Sequence, residues 1–455
     1  MAAQIVWFRR DLRVRDHPAL AAAAAAGEVL PVFVVDPAFA GAGAARAAAL
    51  RTALAALHAS TDGALVVRSG RPEQVIPSLV GEVGADAVHV SGESTPGGRR
   101  RDARVEAALA EAALAAPLVA TGSPYAVSPG RVRKGDGSPF RVFTPFSRAW
   151  LEHGWRAPAE LPRGIRWVRG IESEPLPEPP STAAELSWAS EEGALERWDA
   201  FLDGPIDDYD AHRDRPDLDG TSRLSIALKL GTVHPRTLLA DLDREAPRRG
   251  KAAQRSLKRF QAELAWREFY GDVLWHHPRS AWADLGEQLR GIAYDEPREP
   301  FDAWREGRTG FPFIDAGMRQ LLAEGWMHNR LRMATASFLT KDMHIWWVHG
   351  ARHFMQHLAD HDLASNSHGW QWTAGTGTDA APFFRVFNPV LQGQKSDPDG
   401  DYVRRWVPEL RHIPGSAVHE PWKWPDGVAH GYAERILDHA AERREALARL
   451  EALKA

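Results

Sequence analysis

None of the 455 residues is cysteine. That excludes disulfides, thiolate metal centres and cysteine nucleophiles together. Apolar runs are short as well, and none approaches the roughly 18–20 residues that a membrane-crossing helix needs. The opening MAAQIVWFRRDLRVRDH reaches charge before the apolar core of a leader can form, so no secretory signal is expected. Nor is there an excess of positive charge. With 56 Lys and Arg against 60 Asp and Glu, the net charge is −4, and any nucleic-acid binding must rest on a local basic patch. The first strand-like run lacks a following G-x-G-x-x-G. Trp7-Phe8-Arg9-Arg10-Asp11-Leu12 stands there instead, which weakens a dinucleotide-binding reading. The expectation is a soluble, cytoplasmic protein of two or three domains, at roughly 100–200 residues each.

What is present is apolar mass and tryptophan. Hydrophobic residues make up 44 %, ample for real cores, and 18 Trp stand against 6 Tyr. The densest stretch is 360–389, DHDLASNSHGWQWTAGTGTDAAPFFRVFNP. It reads as a mostly polar, Gly-flanked loop with Trp370 and Trp372 directed to different sides. Two readings stay open: the indoles plug a core, or they line a site for a flat ligand.

Residues 1–125 alternate short β-branched runs (5–8, 29–35, 64–67, 87–90 and 118–120) with Ala-rich helical segments (17–26, 44–60, 72–83 and 98–116). That alternation predicts a doubly wound, five-stranded parallel α/β domain, with ligands beyond the strand C-termini near Arg9, Arg10, Asp36 and 91–93. From 126 to 193, Pro, Gly and Arg become frequent, and EPLPEPPST reads as an interdomain linker. From 194 to 455 helical periodicity dominates, and 431–455 is expected to be a closing amphipathic helix.

Several constellations in the helical half carry chemistry. Gly220-Thr221-Ser222-Arg223-Leu224-Ser225 opens a helix expected to stop at Gly231, an anion site if it is not an ordinary cap. Glu263, Trp266, Arg267 and Tyr270 share one helix face, a poor apolar seam because burying unpaired charge is costly. Trp326, Asn329, Arg330 and Met333 are expected on one face of another helix. His349, His353, His357 and His361 recur every four residues, but no H-E-x-x-H base accompanies them, so no metal site is assigned.

In this order the blocks VWFRRDLRVRDHPAL, DGTSRLS, ELAWREFY, GWMHNRLRM, ASFLTKD and 360–389 resemble the photolyase/cryptochrome family along essentially the whole chain. The pattern is most like its class I branch, which acts on cyclobutane pyrimidine dimers in DNA. The resemblance implies an antenna domain (1–125), a linker (126–193) and a helical FAD- and DNA-binding domain (194–455). Carried over by position, Tyr209, Thr221, Ser222, Arg223, Leu224 and Ser225 would hold the FAD phosphates. Arg267, Trp326, Arg332 paired with Asp360, Asp362 and Asn366 would surround the rest of the flavin. Glu263, Trp266, Asn329, Met333 and Trp372 would form the dimer pocket, and Arg213, Arg330 and Arg385 would contact phosphates.

Trp370 and Trp347 match the electron relay, with Tyr294 at its usual outer Trp place. Phe260 and Ala262 also depart from the family pattern before Glu263. The family's folate-binding Glu aligns near Gly98, so an 8-hydroxy-5-deazaflavin near Arg10, Asp36 and Asp102 is the expected antenna, with an empty site as the other possibility. The implied protein is a monomeric, light-driven DNA lyase. A cryptochrome-type photoreceptor without repair is the alternative.

Overall fold

The computed structural model describes residues 3–39, 41–378 and 385–453; the DAAPFF part of the tryptophan-rich stretch lies outside them. The first unit is built from β1 (Ala3–Phe8), α1 (Pro18–Ala26), β2 (Glu28–Val35), α2 (Ala44–Ser60), β3 (Val66–Ser69), α3 (Pro72–Val83), β4 (Ala85–Val90), α4 (Pro96–Glu111) and β5 (Leu118–Ala120). All strand pairs are parallel, in the order β3-β2-β1-β4-β5, with Ile5 opposite both Leu30 and Val88. This is the expected doubly wound sheet. Its strands are apolar on both faces because helices cover both faces, giving two separate cores. Local signals set the helix starts. Pro18 stands at the first turn of α1, where its missing N–H costs nothing, and His17 caps Leu20 N at 3.0 Å. Helix α4 begins at Pro96 rather than 98, because Thr95 caps it through Gly98 N.

After the sheet come α5 (Phe143–His153), α6 (Glu191–Leu202), α7 (Tyr209–His212), α8 (Ser225–Leu230), α9 (Pro235–Glu245) and α10 (Lys251–His276). Then follow α11 (Glu299–Glu306), α12 (Pro312–Glu324), α13 (Asn329–Ser337), α14 (Trp347–His357), α15 (Leu363–Ala374), α16 (Pro389–Ser396), α17 (Asp401–Trp406) and α18 (His439–Ala452). Helix α5 lies inside the stretch read as linker. Its buried Phe146 and Trp150 join the core that α10 supplies with Phe260 and Phe269. The final helix begins at His439, where Asp438 caps Ala441 N, and 431–438 is not helical.

Two carboxylates on α10 fasten the chain that leaves the sheet. Glu268 accepts from Ala126 N (2.8 Å), Val127 N (2.9 Å) and Trp150 Nε1 (3.3 Å), and Asp272, one turn on, accepts from Gly130 N at 2.6 Å. The sheet also meets the helical half at Gly231, the left-handed end of α8 with φ +72°. A Cβ there would lie 1.9 Å from the Arg10 carbonyl oxygen, so only glycine allows this approach.

Burial pushes the Glu268 carboxyl up to about 7, even though Arg267 and the two backbone donors pull it down. The folded value therefore lies above the ordinary 4.5 of the unfolded chain, so its contribution to stability is present below pH 4.5 and is lost as pH rises through about 7. Across that window the unfolding free energy should fall by at most about 1.4 kcal/mol per pH unit from this group. Denaturant titrations at several pH values should give a flatter profile for Glu268→Gln than for the wild type.

Candidate functional site

Part of the stretch expected as a loop, Leu363–Ala374, is helix α15. Asp362 caps it, accepting from Ser365 N at 3.0 Å, and Gly375 ends it at φ +88°. Residues two apart on a helix still diverge by about 200°. Trp370 is accordingly buried and Trp372 half-exposed.

Arg10, from the loop after β1, reaches across to Asp362 at 2.5 Å, with Glu93 at 3.8 Å from its other nitrogen. Burial alone would raise the Asp362 carboxyl. Arg10, Arg267 and Lys229 outweigh it and hold the group far below the carboxylate range. Burial pushes the neighbouring Lys229 amine down to about 7, Arg10 adding to the effect while Asp362 opposes it. Two residues before Asp362, Asp360 takes a two-pronged ion pair from Arg332 at 3.2 and 2.7 Å.

The face of α10 bearing Glu263, Trp266, Arg267 and Tyr270 is half-exposed, unlike the buried Leu264, Ala265, Glu268 and Phe269 beside it. Phe143 stacks flat on Trp266, with centroids 3.7 Å apart at 6°. Arg267 donates to the Pro124 and Leu228 carbonyls. Glu263 pairs with Arg213, and Arg330 pairs with Asp214 at 2.6 Å. Because 213 and 214 are adjacent, these pairs draw α10 and α13 to one rim. Exposed Asn329 lies on α13 with its amide 3.8 Å from the Met333 sulfur. Arg385 is exposed.

Trp326 does not share that helix. Gly325 ends α12 in the left-handed region and His328 caps α13, which leaves Trp326 between them. From there its Nε1 donates to Ser225 Oγ at 3.2 Å, and Arg223 lies over its ring at 4.5 Å. Thus Trp326 closes on the segment Thr221, Ser222, Arg223, Leu224 and Ser225, beyond which Tyr209 is buried. Arg223 holds a positive φ of 50°, unusual for a side chain with a Cβ.

Trp370 meets Trp304 (6.1 Å) and Phe354 (5.0 Å) edge-on. Trp347 donates to Asp284 at 2.6 Å, and so does Trp346 at 3.3 Å. Burial, reinforced by the charge of Asp284, raises the Tyr294 hydroxyl. Neither Asp284 nor Trp304 carries a motif, and their part emerges only from the fold. Asn366 donates to the Ala351 carbonyl at 3.0 Å. Of the His row, His353 and His357 have rings 4.5 Å apart, while His361 lies beyond the end of α14.

The crevice at the strand ends is filled by the chain itself. Arg9 pairs with Asp102 at 2.5 Å, Arg101 joins the same carboxylate at 3.2 Å, and both guanidiniums cover Trp7. A Cβ at Gly98 would meet the Glu93 side chain. Asp36 caps its own turn through Ala38 N.

Comparison with known proteins identifies the family. Residues 4–164 match the family model described as DNA photolyase, and 260–452 match the FAD binding domain of DNA photolyase. A deoxyribodipyrimidine photo-lyase of Streptomyces griseus is 40 % identical over 459 aligned residues, covering 97 % of this chain and 98 % of its own. The chain belongs to the photolyase/cryptochrome family. A class III photolyase of Agrobacterium tumefaciens superposes on it with TM-score 0.90 at 37 % identity, covering 100 % of this chain and 98 % of that one. Its class differs from the class I branch expected from the motifs. A Synechocystis cryptochrome gives 0.88 at 27 % identity, covering 98 % and 99 %. The fold is therefore common to repair and photoreceptor branches of this photolyase/cryptochrome family.

The donor set fits FAD. Three hydroxyls beside Arg223 suit phosphate, and Arg267, Arg332 and the Asn366 amide suit a polar ring edge. Buried Trp370 Nε1 and His361 Nδ1 have no hydrogen-bond partner among the described residues.

Gly350 on α14 makes room for Trp370, since a Cβ there would lie 2.2 Å from the indole Cη2 and 2.6 Å from Leu339 Cδ2. Gly350→Ala should lower the unfolding free energy by about 1–3 kcal/mol by overpacking. Denaturant unfolding should show a smaller penalty in a Trp370→Phe background, where the ring no longer collides.

Proposed function

We propose that this protein is a light-driven lyase that returns cyclobutane pyrimidine dimers in DNA to separate pyrimidines. The observation that carries the reading is the polar, half-exposed α10 face meeting the Arg213–Glu263 and Arg330–Asp214 pairs at one rim. Trp266, held flat by Phe143, offers its free ring face as one wall of a slot, and Trp372 offers the other. Glu263 and Asn329 hydrogen-bond the pyrimidine edges, and the Met333 thioether fills the irregular gap. A dimer is already poorly stacked, so flipping it out costs less than the few kcal/mol of a normal base.

In its reduced form, FAD would supply light-driven one-electron chemistry with no net redox change. Tyr209 and 221–225 grip its phosphates, and Arg267, Trp326, Arg332, Asp360, Asp362 and Asn366 orient the remainder. Trp370, Trp347 and Tyr294 serve its reduction, with Trp304 as a further ring beside Trp370. Arg213, Arg330 and Arg385 meet DNA phosphates. Because Arg213 and Arg330 already hold carboxylates, binding there exchanges partners rather than capturing free cations. An antenna of the deazaflavin type, rather than folate, would lie against the Arg9–Asp102 pair at the strand ends.

The cryptochrome reading is favoured by the Synechocystis likeness, and one experiment separates the two. Purified, reduced protein is given a thymine-dimer oligonucleotide in blue light and in darkness. The wild type should restore thymines only in light. Glu263→Ala should do so about ten- to a hundredfold more slowly while keeping its FAD, as loss of a charge-assisted hydrogen bond implies. Bound FAD without light-dependent repair would favour the photoreceptor. Loss of FAD from Glu263→Ala would assign that face to the cofactor.

A further inference from the structure

Outside the flavin and DNA surfaces, two short segments near the C-terminus bring two imidazoles and a carboxylate together. His412 follows the turn at 408–410, and Asp426 and His430 lie in the turn-rich segment after Trp424. The His412 and His430 rings are 4.4 Å apart, and His412 Nε2 lies 3.7 Å from the Asp426 carboxylate and 3.2 Å from its carbonyl oxygen. One ligand atom from each residue lies within 4.8 Å of the other two, and among the described residues no other trio of His, Asp or Glu does this. We propose that His412, Asp426 and His430 bind a divalent transition-metal ion of the zinc class.

The chemistry of the donors supports that ion. Two imidazoles and one carboxylate suit zinc and its neighbours better than calcium or magnesium, which prefer oxygen. Zinc–nitrogen bonds of about 2.0–2.1 Å put tetrahedral ligand atoms about 3.3 Å apart. The 3.7 Å pair is already near that value, and rotation of the exposed Asp426 and His430 side chains about half-buried His412 supplies the remaining movement. The backbone beneath them is prearranged. Ile413, the residue after His412, is fully buried and anchors the backbone there. Gly427 packs so closely on the Pro421 carbonyl that a Cβ would lie 1.8 Å from its oxygen, and Ala429 N bonds the Asp426 carbonyl at 3.0 Å.

Three protein ligands leave a fourth position for water. The ion would tie 408–414 to 421–431, the segment carrying Trp422 and Lys423. The His353–His357 pair has equally close rings yet gains no third ligand among the described residues, which makes it the internal control.

The test titrates zinc into metal-stripped, FAD-loaded full-length protein by calorimetry, alongside His412→Ala, His430→Ala and His357→Ala. One equivalent should bind the wild type and His357→Ala alike. Affinity should fall in both His412→Ala and His430→Ala by more than the roughly tenfold that losing even an outer partner costs. Added zinc should raise the thermal midpoint of the wild type and leave that of His430→Ala unchanged, with the unchanged zinc-free midpoint of that variant showing that it folds. Absence of stoichiometric binding, or binding undiminished in both variants, would overturn the proposal.

Discussion

The buried contact between Arg10 and Asp362 is the constraint on which the rest of this molecule depends. One partner comes from the loop that leaves the first strand, and the other caps the helix that carries Asn366, Trp370 and Trp372. Each charge is the nearest partner of the other, with Glu93 beside Arg10 and Arg267 and Lys229 acting on Asp362. Removing water from two ions costs more than their attraction returns unless geometry and hydrogen bonds are good, so such a pair is weak evidence for stability as such. Its effect is positional. It fixes where α15 begins, and with it which indole faces inward.

Other charged contacts extend the same logic across the interface. Arg332 and Asp360 fix the residue two positions before the cap, and Gly231 lets α8 close on the Arg10 backbone. Glu268 and Asp272 hold the chain that passes from the sheet into the helices. Polar groups thus set the register of a domain whose apolar cores alone would tolerate sliding. At the rim, Arg213 and Arg330 are held by Glu263 and Asp214, which keeps these cations extended toward one edge. Partners that are ionic and half-exposed can be exchanged for phosphate at modest cost.

Much of this was legible from the residues. Continuous β-branched runs gave five parallel strands, since only strands covered on both faces read that way. The 3.6-residue spacing of Glu263, Trp266, Arg267 and Tyr270 identified a polar helix face. Other features were hidden for physical reasons. Gly369, Gly375 and Gly377 made α15 look like a loop, although Asp362 and packing against α10, α13 and α14 hold it helical. Pro and Arg in 126–193 masked α5, whose stability comes from burying Phe146 and Trp150 rather than from helix propensity. Trp326 fell outside its expected helix because His328, two residues later, caps α13 and starts it at Asn329. Contacts such as Trp347 with Asp284 join residues far apart in the chain, and no local pattern encodes them.

The most direct measurement is a double-mutant cycle on the interface pair, using Arg10→Met, Asp362→Asn and the double variant in equilibrium unfolding. Each single change should cost about 3–5 kcal/mol, because it strands a buried charge. The double variant should lose no more than either single one, giving a coupling of several kcal/mol between two residues that are adjacent only in the fold. Purely additive losses would mean that Arg10 and Asp362 act independently, and the account of how α15 is set would be wrong.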